Sequence, residues 1–425
     1  MWLMTTKDLH VNVWDLIFPL ARTVDMMSPA VGEHHMRVAY LALRLSEELG
    51  IDPVERRDIT VAGALHDIGA FSLHERLDLL EFEERKPSQH SLAGYLLLKD
   101  FPPFANVASM IRFHHVPWRD GAGATVKEIP VPRGSHILHL ADRISVLVSR
   151  DRPALSQVEQ IRESIVARKG EMFVPEYVDA FLSIATRDYV WLEAISASIG
   201  SILKRSVGFQ NQGIDIDALL EFARLICRII DFKSEFTATH SSGVAATATA
   251  LGRWIGFSEQ ECRMLEIAAF LHDLGKLAIP SEILDKPGKL TTDEWQVMRT
   301  HVYYTYRVLE PIDALNVITS WGALHQERLN GTGYPFRYKA KDLPLGARIM
   351  AVADVFTGIT EDRPYRKGMD KETALGVLED MAERHELDSS IVGMLGKYFD
   401  ETNELRATAQ TKAIREYEAF RGALS

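Results

Sequence analysis

The sequence predicts an all-α protein made of two tandem helical-bundle domains joined by a helical linker. Three observations predict it. Apolar residues recur at i, i+3, i+4 and i+7 along most of the chain, the period of helices with a buried face. Strand-like alternation is scarce, with 126–131 the best short stretch. A set of His, Asp and Gly residues in the first half returns in the same order in the second.

Taken in order, 38–49 (VAYLALRLSEEL) carries the helical period and ends at Gly50, a residue suited to the left-handed position after a helix. The same period predicts helices over 54–65, 92–98, 105–113, 137–148, 158–167 and 177–184. A further helix over 189–203 is broken by Gln210-Asn211-Gln212-Gly213, and 216–230 restarts a strongly apolar one. The expected division is a first domain over 1–205, a second over 213–400 and a helical tail over 401–425.

Composition narrows the class. The chain has 425 residues, 46% hydrophobic and 25% charged, enough for two or three soluble domains. Its net charge of −11 excludes a general nucleic-acid or anionic-membrane binder but not an anionic substrate, because a metal and local cations can reverse the field in one pocket. Cys227 and Cys262 stand in apolar helical contexts and read as buried free thiols. No run approaches the roughly 18 apolar residues that span a bilayer. Lys7, Asp8, His10 and Asp15 interrupt the apolar residues of 1–18, so that stretch is not expected to be a secretory signal. A cytoplasmic location is expected.

The repeat can be followed by residue. His34, His66, Asp67 and Gly69 step by 206 to His240, His272, Asp273 and Gly275. After a longer loop the step is 211, from His90 to His301 and His114 to His325, and then 212, from Asp142 to Asp354. This order and spacing indicate a tandem duplication of one domain. Its centre is 271–280 (LHDLGKLAIP), with a twin at 65–74 (LHDIGAFSLH).

Imidazole and carboxylate donors together suit Fe, Mn or Zn better than Mg or Ca. Facing helices of a bundle are an established place to collect such ligands. Two ions about 3.5–4 Å apart can clamp a phosphoryl oxygen and activate water, and a cation such as Lys276 can neutralise the developing charge. The buried run IMAVADVF around Asp354 makes a metal the better explanation of that carboxylate.

HDLGK, IPSEILDKPGKLTTDEWQVMRTH, HQERLNGTGYPF and ARIMAVADVFTGITEDRPYRKGM together resemble the HD-GYP branch of the HD superfamily, over about 216–397. Residues 33–185 resemble a divergent member of the same superfamily. The resemblance implies a metal-dependent phosphodiesterase acting on cyclic di-GMP or a related cyclic dinucleotide, with two divalent ions, Fe or Mn, per site. It implies His240, His272, Asp273, His301, His325 and Asp354 as metal ligands, with Asp273 and Lys276 catalytic. It assigns Gly331, Gly333, Tyr334 and Pro335 to a substrate-binding loop, and Arg363 and Arg366 to the substrate phosphates or guanines.

Two departures stand against that pattern. The family has paired histidines where this chain has His325-Gln326-Glu327, and an amide is a weak ligand for these metals. The N-terminal copy keeps His34, His66, Asp67, His90, His114, His115 and Asp142, a second candidate metal set, yet has Ala70 in place of the lysine and lacks the GYP triplet. The residue one turn before His240 is Phe236 rather than an acid, so no third ion is expected.

The C-terminal domain is therefore expected to be catalytic and the N-terminal one regulatory, with a homodimer or signalling partner and no nucleic-acid polymer. The alternatives are a cyclic-dinucleotide receptor that has lost activity through Gln326, and a phosphohydrolase of another nucleotide. His35 reads as a helix-surface residue. His10, His74, His136, His139 and His385 have no partner in the repeat, and Trp14, Trp191, Trp254 and Trp295 read as core.

Overall fold

The computed structural model describes residues 11–25, 32–71, 88–149, 151–207, 213–232, 239–362 and 366–424. Two compact units divide the chain, one over Trp14–Gln212 and one over Gly213–Ala423 joined by residues up to Val13. Helices dominate both. Among the described helices none is long and apolar enough to cross a membrane.

In the first unit the helices are α1 (Val13–Asp25), α2 (His34–Glu48), α3 (Pro53–Leu65), α4 (Ser88–Leu98), α5 (Ala105–Arg112) and α6 (Arg133–Leu147). Shorter helices follow at Val158–Val166 (α7), Pro175–Ile184 (α8), Asp188–Ala194 (α9) and Ile199–Ser206 (α10). Helix α2 is the axis, packed against α3 and α6. Every residue of it from His34 to Leu43 is buried, so no face looks to water. Asp52 starts α3 by accepting from the amides of Val54 and Glu55, with Pro53 at the first helical position.

The second unit repeats this plan with α11 (Ile216–Asp231), α12 (His240–Ile255), α13 (Glu259–Leu271), α14 (Ser281–Leu284), α15 (Thr292–Leu309), α16 (Asn316–Gly322) and α17 (Leu345–Thr360). Helices α18 (Lys371–Glu383), α19 (Ser389–Lys397) and α20 (Phe399–Leu424) complete it. Here α12 is the axis, packed against α13 and α17. Gly256, in the left-handed conformation at φ 101°, ends α12, and a reciprocal Ser258–Glu261 capping box starts α13. Helix α20 lays Thr402, Arg406, Gln410 and Ala413 into the interior of this unit.

Strands are minimal. β1 (Val11–Asn12) pairs antiparallel with β4 (Gly213–Ile214). The stretch expected as one strand over 126–131 is a hairpin of β2 (Thr125–Val126) and β3 (Ile129–Pro130). Lys127 and Glu128 both adopt positive φ, 48° and 67°, which reverses the chain between them. The single helix expected over 189–203 is also two helices. Ser196 closes a turn there, its Oγ accepting from the Ser198 amide and its carbonyl from the Ile199 amide, a competition with helix that serine favours.

Candidate metal centres and substrate cleft

Asp273 is the hinge of the C-terminal site. His272 lies just past the end of α13 and Asp273 opens the 3-10 turn Leu274–Ala278. That turn presses on α15: a Cβ on Gly275 would stand 1.9 Å from the carbonyl oxygen of His301, so only glycine fits. Gly69 makes the same approach to the His90 carbonyl, at 2.2 Å, in the first unit. Thr305 clamps the turn, accepting from Gly275 N at 2.9 Å and donating to the His272 carbonyl at 3.0 Å.

The carboxylate faces histidines from two sides. Oδ2 of Asp273 is 3.1 Å from His272 Nε2, and Oδ1 is 3.3 Å from His301 Nε2. Donor atoms of His240, His272 and Asp273 form one group within 4.8 Å, and those of Asp273, His301 and His325 form another. Asp354, on α17, joins the first side through Oδ1, 3.0 Å from His240 Nε2. The structure thus brings together all six of the C-terminal histidines and aspartates singled out in the sequence.

These residues fit a cation. His272, His301 and His325 each hold Nδ1 on a carbonyl three residues earlier, those of Ala269, Met298 and Gly322, at 2.5 to 2.7 Å. The proton is therefore on Nδ1, and Nε2 presents a lone pair to the centre. His272 Nε2 is buried without a hydrogen-bond partner among the described residues. Lone pairs and carboxylate oxygens converging in a buried space repel unless a positive charge lies among them. In the apo chain protons take that part: although burial opposes it, Glu361 and Asp354 hold His240 protonated up to about 10. Burial and the neighbouring His272 push His325 down to about 3.

Beside this centre opens a cleft of about 440 Å³, lined by the ligand candidates and by Lys276, Arg328, Tyr334 and Trp295. Lys276 Nζ is 2.6 Å from Asp273 Oδ2, and that carboxylate raises its pKa against the effect of burial. Tyr334 lies under the Arg299 guanidinium, 4.5 Å from its ring centroid, with the Trp295 ring edge-on at 6.4 Å. Trp295 is 47% exposed, not core as its helical spacing suggests, because the first turns of α15 stand over the cleft.

Tyr334 is the member of the expected loop that lines the cleft; Gly331, Gly333 and Pro335 shape the backbone that carries it. Gly331 has φ 81°, and Gly333 passes so close to Glu327 that a Cβ would stand 2.4 Å from its Cα. The buried Glu327 carboxylate accepts from the amides of Phe336, Arg337 and Tyr338, at 2.7 to 3.1 Å. Gln326 points its amide at Asp354, with Nε2 3.0 Å from Oδ2. Arg366 is exposed and donates to the Gly358 carbonyl. Arg363 and Phe236 lie outside the described residues, as do His10, His74 and the side chain of Trp14.

The first unit gathers its own set. Donor atoms of Asp67, His90, His114 and His115 fall within 4.8 Å, as do those of His34, His66 and Asp142. Asp67 again stands between, 3.2 Å from His66 Nε2 and 3.4 Å from His90 Nε2. His66 and His114 fix Nδ1 on the carbonyls of Gly63 and Ile111, so the same fit to a cation holds. Arg143, buried, grips Asp142 Oδ2 through Nε and Nη2 at 3.2 and 2.7 Å.

Four participants escaped the sequence reading. His35 is buried, not on the surface, because α2 is covered on every side; its Nδ1 meets Asp25 Oδ1 at 2.5 Å. Asp25 and Asp231 obey the 206 step, which was the signal that could have found them. Burial raises the Asp231 carboxyl to about 7, with Cys227 and Ser241 as partners. Glu361 holds His240 Nδ1 at 3.2 Å and accepts from Gln410 Nε2 of α20 at 2.9 Å. No spacing in the sequence ties those three together.

Known proteins resemble both units. A family model described as "HD domain" matches residues 224–391, and a second of that description matches residues 31–147. The chain is 28% identical over 395 residues to the 3′3′-cGAMP-specific phosphodiesterase 1 of Vibrio cholerae, covering 91% of each. It is 40% identical over 157 residues to the cyclic di-GMP phosphodiesterase response regulator RpfG of Xanthomonas campestris, which is 36% of this chain and 41% of that one. The crystal structure of a cyclic GMP-AMP specific phosphodiesterase of V. cholerae (V-cGAP3) has the same fold, with a TM-score of 0.61 over 95% of this chain and 98% of that one at 21% identity.

Proposed function

Because the chain belongs to the HD-GYP branch of the HD-domain phosphohydrolases, with two HD domains in tandem, we propose that it is a metal-dependent phosphodiesterase opening a 3′3′-cyclic dinucleotide. The C-terminal unit is the catalytic one and the N-terminal unit is regulatory. The observation that carries this is Asp273, set between two groups of histidines at the floor of an open cleft that also holds Lys276.

His240, His272 and Asp354 would hold one divalent ion, His301 and His325 another, with Asp273 between them. Bound there, such ions supply Lewis acidity and a lowered pKa for water. The protein's own groups do the rest. Lys276, kept charged by Asp273, neutralises a phosphate oxygen as negative charge grows on it. Arg328 adds a second cation to the cleft. Tyr334 and Trp295 offer aromatic faces to the bases, and Glu327 fixes the loop that places Tyr334. A cleft of this size is in the range that encloses a nucleotide-sized ligand.

In the first unit Ala70 replaces the lysine, which supports a regulatory rather than a catalytic part. The buried free thiols Cys227 and Cys262 support a cytoplasmic setting. A receptor role is the second reading, favoured by Gln326 lending an amide where the first unit has the His115 imidazole.

Full-length protein supplied with Mn or Fe(II) and incubated with cyclic GMP-AMP, cyclic di-GMP and other nucleotides tests these readings. Linear product from a cyclic dinucleotide, abolished by Asp273→Ala in a folded protein, is the expected result. Undiminished turnover by Asp273→Ala would overturn the proposal, and tight binding with no product would establish the receptor.

A further inference from the structure

The two centres differ in how many protein donors they hold. Around His34 and His66 stand Asp67 and Asp142, and one more residue reaches in: a ring nitrogen of His35 lies within 4.8 Å of donor atoms of both His66 and Asp67. His35 is 1% exposed, its Nδ1 is engaged by Asp25 at 2.5 Å, and its Nε2 has no hydrogen-bond partner among the described residues. In the second unit the corresponding pair is Asp231 and Ser241, whose Oγ donates to Asp231 Oδ1 at 3.0 Å. The carboxylate is kept and the imidazole is not.

The other half of each centre differs in the same sense. Asp67, His90, His114 and His115 make a group of four, whereas Asp273, His301 and His325 make a group of three. Arg143 stands at the position of Val355, which lines the open cleft of the second unit, and its guanidinium is taken up by Asp142. Each half of the N-terminal centre thus has one donor more than its catalytic counterpart. A catalytic metal site keeps a coordination position open for water or substrate, and a structural one fills it with protein.

We infer that the N-terminal centre is a closed metal site, in which His35 Nε2, oriented by Asp25, is an additional ligand in the position a catalytic centre leaves to water. This rests on the reading that the N-terminal centre binds a divalent ion. A buried ring nitrogen with no partner is unfavourable, and a cation at that place satisfies it. An Asp–His pair serving packing alone gives the ring no reason to bring a nitrogen within 4.8 Å of donor atoms of both His66 and Asp67.

The test uses full-length protein loaded with Mn²⁺, dialysed, and followed for metal release into excess EDTA. His35→Asn keeps a polar group where Nδ1 meets Asp25 and removes Nε2; His35→Ser installs the residue found at position 241. His66→Ala removes a ligand that an ion on the His35 side of the N-terminal centre would need. The expected result is a slowly released ion that His66→Ala lacks and that both His35 variants release at least about tenfold faster. If wild type and His66→Ala hold the same metal, the underlying reading fails. If His66→Ala loses the slow ion while both folded His35 variants keep it at the wild-type rate, that reading stands and the His35 ligand is overturned. Water-proton relaxation by the Mn²⁺ retained in wild-type protein gives a check free of mutations. Little enhancement is expected from a closed site, and enhancement like that of an ion with bound water would overturn closure.

Discussion

Gln326 donates its side-chain amide to Asp354 across 3.0 Å, joining the residue that departs from the family pattern to a candidate ligand of the other half of the centre. The carboxylate oxygen it engages is on the same group that meets His240 through Oδ1. Gln326 therefore orients Asp354 while adding no strong donor beside His301 and His325.

Gln326→His should make the C-terminal centre resemble the four-donor group around His115. We expect the second divalent ion to bind about 10–100-fold more tightly, the range set by single changes around a metal, and turnover at limiting metal to rise. Calorimetric titration of the metal-free chain measures the first. An unchanged isotherm would show that the imidazole does not reach the ion.

Lys276→Met removes the cation while leaving every candidate ligand in place. We expect kcat to fall about 100–1000-fold, the usual effect of deleting one group that stabilises transition-state charge, with metal content unchanged. Because Asp273 raises the pKa of Lys276, no loss of rate from its deprotonation is expected between pH 7 and 9, about the range of ordinary assays. Loss of metal along with activity would instead make Lys276 a support for Asp273.

Trp295→Ala tests the aromatic wall. Stacking of a base on an aromatic ring is worth about 1–3 kcal/mol, so KM should rise about 5–100-fold while kcat changes little. A fall in kcat at constant KM would place Trp295 in positioning the reacting phosphate rather than a base.

His136 and His139 on α6 give a pH dependence of stability. Burial is the main cause that lowers both, His139 to about 3. The unfolded chain protonates them near 6.5; the folded unit protonates His136 at lower pH and His139 only near about 3, so their contribution is complete above 6.5 and declines as pH falls below it, for His139 down to about 3. Urea unfolding in EDTA between pH 7.5 and 5, about the span that brackets this onset, should show stability falling with acidification. His139→Leu should reduce that slope by up to about 1.4 kcal/mol per pH unit. Equal slopes would show that His139 is already protonated in the folded state.

The repeat was legible because the candidate ligand residues sit at fixed places on packed helices, and helix packing preserves spacing: one step of 206 carries His34, His66 and Asp67 onto their twins. The step also covered Asp25 and Asp231, but an aspartate at a helix end reads as an ordinary surface residue until its partner is seen. Helical period failed at His35 for a physical reason. It separates an inner face from an outer one, and between His34 and Leu43 α2 has no outer face. It failed at Trp295 because the same period describes an apolar stripe whether it meets a core or a cleft. Glu361 needed contacts from α12 and α20, more than 45 residues away in either direction, which no local pattern encodes.

Helix α20 has a practical consequence. Gln410 holds Glu361, which holds His240, and Arg406 in turn holds Gln410. A shortened version of the C-terminal unit that stops at residue 400 would look complete by motif and lack the last two links of that tether. A minimal fragment intended to keep His240 in place should run at least through Ala413, the last residue that α20 buries.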